Sequence, residues 1–535
     1  MALAEKMEAT RRGFLVRAGT SAAGVAALSI GSPAAALAAP APQMAGGDTF
    51  RLALGTDPAT IDPHKASWTQ EIEVAMRVFR NLLKYDIDNN LIPELAAAMP
   101  EVSEDGTVYT FTLKDGASFS DGTPVTAADV EYSWKRQLDP AVAADYAFLA
   151  YSIVGAEEYN TADTKTLSAG QLQALRDAVG VRAISGNQVQ FNLKEPAVWF
   201  LNVLALWLGV PVREVLVRQG NGGSDSDDKW TAPATYIGTG PFVLAEREVQ
   251  SRMKFTANPR YTPTSQIPNV EINIINDGAV AFAAYLNDEL DTVTFQREDK
   301  PRVDSDPVLK SQSYEYAEPT TLWVGFNTTR APFNNQKVRS AFAFAIDRVS
   351  YVRNILGGAG IPARQIVPPG NPGHYEYELE EQVFNPTVAR RLLAEAGFPE
   401  GRGLPEIKWT YASTPRNKTR VEALTAQIQQ NLGVNVLADP VEPTAYTAML
   451  KRPDTTPQLF GPSGWHHDYP DAQNWYSVLF HSKSGNNQYG FNNPDYDRYT
   501  EAGDREQDPG LRWEMYRQAA QILLNEAPVA PLYHF

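Results

Sequence analysis

Between Thr107 and Leu138 the apolar residues change period, and that change constrains the fold more than any other feature of the chain. From Thr107 to Leu113 they alternate, which places Tyr109, Phe111 and Leu113 on one face of a strand. Thr126 then offers an N-cap with Asp129 three residues on, and Val130, Trp134 and Leu138 line one helix face. The same switch recurs along the chain. Gln70 to Tyr85 carries Ile72, Met76, Phe79 and Leu83 at helical spacing, and Val189, Phe191 and Leu193 mark a second alternating strand. Asn385-Pro386 starts a helix that Gly397 ends. Thr419 to Leu432 is amphipathic, with Gly433 as its cap and Val434-Asn435-Val436 as the strand that follows. Asp508-Pro509 opens a last helix with Trp513, Tyr516, Ala520 and Leu523 on its buried side, and Gly220 to Asp228 reads as a surface loop. Such alternation, without a short repeat or a heptad, predicts an α/β architecture with several sheets.

The 535 residues leave room for roughly three or four domains' worth of core. With no cysteine the chain has no disulfide, thiolate metal site, cysteine nucleophile or lipidated cysteine, so packing alone must hold it. A net charge of -16 disfavours nucleic acid and anionic membranes as partners.

Thr10-Arg11-Arg12-Gly13-Phe14-Leu15 is a twin-arginine signature. The weakly apolar stretch from Ala18 to Ala39 is too polar and glycine-interrupted to span a membrane well, and Ala36-Leu37-Ala38 offers small residues to a signal peptidase. Residues 1–38 are therefore expected to be a signal peptide, and the mature protein to be soluble in the periplasm without a lipid anchor.

A longer pattern is more specific. Ser103-Glu104-Asp105-Gly106-Thr107-Val108-Tyr109-Thr110-Phe111-Thr112-Leu113-Lys114-Asp115-Gly116 runs on into Phe119-Ser120-Asp121-Gly122-Thr123-Pro124-Val125-Thr126-Ala127-Ala128-Asp129-Val130. Ile61-Asp62-Pro63-His64, Gly238-Thr239-Gly240-Pro241-Phe242, Asn258-Pro259-Arg260-Tyr261, Ala331-Pro332-Phe333-Asn334, Gly464-Trp465-His466-His467-Asp468-Tyr469-Pro470-Asp471 and Ala530-Pro531-Leu532-Tyr533 stand in order around it. This series resembles the bacterial extracellular solute-binding protein family 5, typified by the oligopeptide- and dipeptide-binding proteins of ABC importers. Read locally, the glycines of Asp121-Gly122 and Gly238-Thr239-Gly240 are turn residues that need a positive φ.

The resemblance implies a periplasmic-binding-protein-like two-lobed clamp with an additional small α/β domain. Lobe I would combine 48–84, 196–310 and 520–535, the extra domain II would be 85–195, and lobe III 311–519. Peptides in this family bind as an added strand, and the closed lobes present the ligand to permease subunits. By the same resemblance Asp468 matches the carboxylate that holds a ligand's α-ammonium group. Gly464 and His466 match positions whose backbone pairs with the ligand, and Trp465 would wall a side-chain pocket. Tyr146 matches a ligand-touching tyrosine of the small domain, Thr69 a backbone-pairing position of the first lobe, and Phe535 replaces a tyrosine at the cleft. Two departures stand out. Pro462 replaces a cation that some relatives place before Gly-Trp, with Arg452 as one substitute. Relatives also continue beyond the Pro-Leu-Tyr motif, so closing strands of the first lobe are expected to be missing or to lie beyond this sequence.

The expected partners are a peptide or other small solute and permease subunits, with the protein a monomer and no cofactor, metal or catalytic residue. His466-His467-Asp468 is a poor metal cluster, because neighbours on an extended backbone point opposite ways. The chain contains no His-Glu-x-x-His, no phosphate loop ending in Lys-Ser/Thr and no Gly-x-Ser-x-Gly. Two alternatives remain open: the same fold binding a nickel chelate, haem, an oligosaccharide or an opine, and an exported hydrolase suggested only by the many carboxylates.

Overall fold

The structure, a computed structural model, describes residues 48–535 apart from 297–298, 377–378, 380–381 and 451. The twin-arginine segment and the expected leader of residues 1–38 lie outside the described residues. The chain divides after Glu315 into two units.

The strands of the first unit are β1 (Thr49–Leu54), β2 (Leu83–Tyr85), β3 (Leu91–Pro93), β4 (Glu101–Val102), β5 (Val108–Thr112), β6 (Val181–Ala183), β7 (Gln188–Asn192), β8 (Phe242–Glu248), β9 (Arg252–Ala257) and β10 (Asn269–Ile274). They form sheets of order β1-β10-β9-β8, β2-β3 and β4-β5-β7-β6. The two alternating runs read from the sequence meet here: β5 and β7 pair antiparallel with Tyr109 opposite Phe191 and Phe111 opposite Val189, all four buried. Helix Ala127–Gln137 begins at the expected box, with Thr126 Oγ1 accepting from the Asp129 N–H and Asp129 Oδ2 accepting from the Thr126 N–H. Its Trp134 meets Phe191 edge-on at 5.5 Å. Parallel pairing of β1 with β10, Thr49 opposite Asn269, closes the other sheet over a separate core of Phe50, Leu52, Met253, Phe255 and Ile272.

The expected helix from Gln70 to Tyr85 is shorter, Thr69–Val78, and its buried stripe is Glu71, Val74, Ala75 and Val78 rather than Ile72 and Met76. Phe79 is already extended, and Leu83 belongs to β2. Gly238 and Gly240 explain the early stop. Neither has a positive φ, contrary to the turn reading, whereas Gly122 does at +91°. Instead the Val78 backbone passes so close that a Cβ on Gly238 would meet the Val78 oxygen at 2.0 Å, and one on Gly240 the Val78 carbon at 2.7 Å. The Gly240 N–H donates to that Val78 oxygen. Gly238→Ala is accordingly expected to cost about 1–3 kcal/mol by overpacking, read as a lower urea midpoint with an unchanged slope.

The second unit holds one six-stranded sheet among the described residues. Its strands are β11 (Thr320–Phe326), β12 (Ile361–Pro362), β13 (Ile407–Ala412), β14 (Val436–Val441), β15 (Leu459–His466) and β16 (Val529–His534), in the order β12-β16-β11-β15-β13-β14. Helices cover both faces. Val324, Trp409, Leu459 and Leu532 pack on one face with helices Gln336–Phe344, Pro386–Glu395 and Pro415–Leu432. Trp323, Phe460 and Val529 pack on the other with helices Pro494–Arg505 and Pro509–Glu526. A strand apolar on both sides needs such a two-faced position. Val529–His534 is buried at every residue and pairs between β11 and β12, so residues 520–535 lie in the second unit and not with β1 as the lobe I assignment has it.

The helix signals hold in this unit with local shifts. Asn385, Thr414 and Asp508 cap their helices, Gly433 ends the second of these at φ +73°, and that helix starts at Pro415, ahead of Thr419. Trp513 is 42% exposed rather than buried, meeting Tyr375 edge-on at 4.9 Å.

Candidate functional site

β15 pairs with β11 from Leu459 to His466, but with β13 only at Leu459 and Phe460. Beyond Phe460, no strand pairs with the other edge of β15 among the described residues. Pro462 sits where the ladder slips, since Gly461 and Pro462 together oppose Val324 of β11. Proline lacks the N–H that a regular ladder position uses, and a bulge tolerates that loss.

The direction of the backbone groups follows from the neighbouring bonds. The Thr320 carbonyl accepts from the Phe535 N–H on the β16 side, and the His467 N–H donates to the Pro319 carbonyl on the β15 side. In an antiparallel ladder the pairs alternate, so Thr321 and Trp465 face each other. Gly464 and His466 therefore turn their N–H and C=O groups away from β11, toward the open edge. Gly464 also has a steric reason to be glycine, because a Cβ there would lie 2.5 Å from the Thr321 oxygen.

The side chains beside this edge converge on one amide. The half-buried Trp465 donates its indole N–H to Asn474 Oδ1 at 2.9 Å. The Asp468 N–H donates to the same oxygen at 3.0 Å, and Asn474 Nδ2 donates back to Asp468 Oδ2 at 3.0 Å. Asn474 is fully buried on the short helix Ala472–Trp475. Asp471 caps that helix and pairs bidentately with Arg512 at 2.7 and 3.0 Å, which ties it to helix Pro509–Glu526. Sequence reasoning missed Asn474; the signal available was the indole N–H, which needs an acceptor when half-buried.

His466 is exposed, with Nδ1 2.7 Å from the Thr320 hydroxyl. His467 is buried, its pKa pushed down to about 3 by burial first and by His466 second. Phe535 follows β16: its N–H donates to the Thr320 carbonyl, its own carbonyl accepts from the Glu318 N–H, and its ring is exposed. Arg452 is exposed and pairs with Asp454 at 2.9 Å.

Tyr146 and Thr69 lie in the first unit, on two segments that touch each other. Thr69 is the first residue of its helix and exposed, not a strand position, and its neighbour Trp68 is 67% exposed. Ser67 Oγ donates to Asp145 Oδ2 at 3.1 Å. Trp207 links both segments, donating to the Ala66 carbonyl at 2.7 Å and meeting the Tyr146 ring edge-on at 5.1 Å.

The open strand edge, the Trp465 ring and the Asp468 carboxylate together form the candidate site. The family model described as bacterial extracellular solute-binding proteins, family 5 middle, matches residues 90–487, and the chain belongs to that family. It is similar to the oligopeptide-binding protein OppA of Bacillus subtilis, 28% identical over 502 residues covering 92% of this chain and 88% of the relative. It is also similar to the periplasmic murein peptide-binding protein MppA of Escherichia coli, 28% identical over 90% of this chain and 86% of the relative. The solved unliganded open form of an MppA periplasmic murein tripeptide binding protein covers 92% of each chain at a TM-score of 0.75 and 27% identity. The expected fold class, the α/β periplasmic-binding-protein-like architecture with several sheets, is thus borne out.

Proposed function

We propose that the protein is the exported binding component of an ABC importer, taking up peptides by adding their backbone as a strand to the open edge of β15. The observation that carries this reading is the outward-facing backbone of Gly464 and His466 on an edge that β13 leaves after Phe460. Backbone pairing gives affinity without reading side chains. In this reading Asp468 meets the ligand's ammonium group and Trp465 walls a side-chain pocket. Phe535 supplies a further contact. The twin-arginine leader sends the folded protein to the periplasm, where it works unanchored, as a monomer and without catalysis, and hands its cargo to permease subunits.

Calorimetry on the full mature protein tests this with tripeptides to pentapeptides and with the same peptides N-methylated at alternate amides. Unmodified peptides should bind at micromolar affinity or better, raising stability by about 3 kcal/mol at a hundredfold excess over Kd. Methylation at the amides facing β15 should abolish that gain. Equal binding of methylated and unmodified peptides would rule out strand addition. A second reading rests on Pro462, which stands where some relatives carry a cation: a solute without a carboxylate terminus would suit this edge. Binding of haem, a nickel chelate or an oligosaccharide, with every peptide silent, would establish it in place of the first.

A further inference from the structure

We infer that Asn474 is a positioning residue of this site, one buried amide that fixes the Trp465 ring and the Asp468 carboxylate in a single arrangement before any ligand arrives. The ligand part of this inference rests on the peptide reading above; the protein part does not.

Three bonds carry the inference. Asn474 Oδ1 accepts from the Trp465 indole at 2.9 Å and from the Asp468 N–H at 3.0 Å. Its Nδ2 donates to Asp468 Oδ2 at 3.0 Å. Asn474 is 0% exposed, so water cannot replace either partner. The amide is uncharged and carries its acceptor and its donors on two separate atoms, so it can serve the indole and the carboxylate together. Leucine would fill its volume and strand the indole and Asp468 N–H groups. Aspartate would keep both acceptor bonds but set a second carboxylate against Asp468. The amide is in turn held from behind: Asp471 caps its helix, Arg512 grips Asp471 bidentately, and the buried Tyr469 hydroxyl bonds Gln473 next to it. A carboxylate already locked in one rotamer loses less entropy when a cation binds, so the lock raises affinity for a cationic group in particular. An indole locked by the same atom keeps the wall of the neighbouring pocket in register with that charge.

The test uses the full mature protein with Asn474→Ala and Asn474→Asp, each also combined with Trp465→Phe, and a free-amine tripeptide beside its N-acetylated form. Asn474→Ala should weaken free-amine binding about tenfold or more and weaken the acetylated peptide, which keeps only the Trp465 contact, clearly less. Its tryptophan emission should shift relative to native protein, and the shift should vanish in the Trp465→Phe background. Asn474→Asp should keep the native emission, because the indole retains its acceptor. Its facing carboxylates should share a proton, so that free-amine binding weakens as pH falls from about 7 to 5 while native binding stays level. Equal loss for both peptides in Asn474→Ala, or an emission shift that survives Trp465→Phe, would overturn the inference. So would a flat pH profile in Asn474→Asp. If native protein binds no peptide, the function proposed above fails, and the emission comparison alone decides whether Asn474 holds Trp465.

Discussion

Arg136→Met is expected to destabilise the first unit by about 3–5 kcal/mol at pH 7, because it strands a buried carboxylate. Arg136 and Asp62 are both fully buried, with guanidinium and carboxylate joined at 2.5 and 3.0 Å. Asp62 also accepts from the Trp230 indole and the His64 N–H, each at 3.0 Å, and Arg136 Nε donates to the Asp225 carbonyl at 2.8 Å. Burial pulls the Asp62 pKa up, but the charge and hydrogen bonds of Arg136 overcome it and hold it at about 2. Burial, and then the Arg136 charge, push His64 down to about 4. Neutral His64 accepts from Arg136 at Nδ1 and donates to the Val210 carbonyl from Nε2.

Both pKa values lie below the ordinary 3.8 and 6.5, so both groups contribute stability that is present at high pH and lost in acid. Native protein should lose the His64 part as pH falls from 6.5 to about 4, and the Asp62 part from 3.8 to about 2. Without Arg136 the stranded Asp62 carboxyl is no longer held ionised; burial favours its protonated form, and acid supplies the proton. The deficit of Arg136→Met should therefore narrow between pH 7 and pH 4, whereas loss of mere packing would leave it unchanged. Asp62→Asn combined with Arg136→Met should recover most of the loss, since no buried charge remains. Urea unfolding at the two pH values checks this. A deficit below about 1 kcal/mol that does not change with pH would mean that the pair is solvated and the account wrong.

The local parts of this molecule were legible in the chain. β5, β7 and helix Ala127–Gln137 stand where the period changes, because alternation and capping act within a few residues. What is not local was hidden. The pairing of Thr49 with Asn269 joins residues separated by most of the first unit, and no pattern in either strand names its partner. The two glycines at 238 and 240 carry the same letter whether they make a turn or admit a passing backbone. Trp465 and Asp468 are singled out by family resemblance alone; Gly464 and His466 turn their backbone groups toward the open edge of β15. That their edge is open depends on where β13 stops pairing, which is a property of another segment. Asn474 escaped because a buried asparagine looks like any polar residue until its two donors are placed beside it.

Asp468→Ala is expected to weaken binding of a free-amine peptide by on the order of a hundredfold, about 3 kcal/mol, and to leave the N-acetylated form as it was. An ammonium about 4 Å from a carboxylate near a protein surface gains about 4 kcal/mol at an effective dielectric near 20. Part of that offsets the water both groups give up, and Asp468 is only half-buried, so the net falls below the Coulomb figure. Asp468→Asn separates charge from hydrogen bonding. Its side-chain oxygen still accepts from Asn474 Nδ2, so the arrangement around Trp465 should persist and its emission should stay native. The charge is gone, so free-amine affinity should fall as far as in Asp468→Ala. Calorimetry on the two variants with the two peptides gives four affinities. Loss confined to the free-amine peptide in both variants is the expected pattern. If Asp468→Asn binds the free-amine peptide as well as native protein, charge does not hold the ligand's amino end. Backbone pairing on the β15 edge would then have to carry the recognition that Asp468 is assigned here.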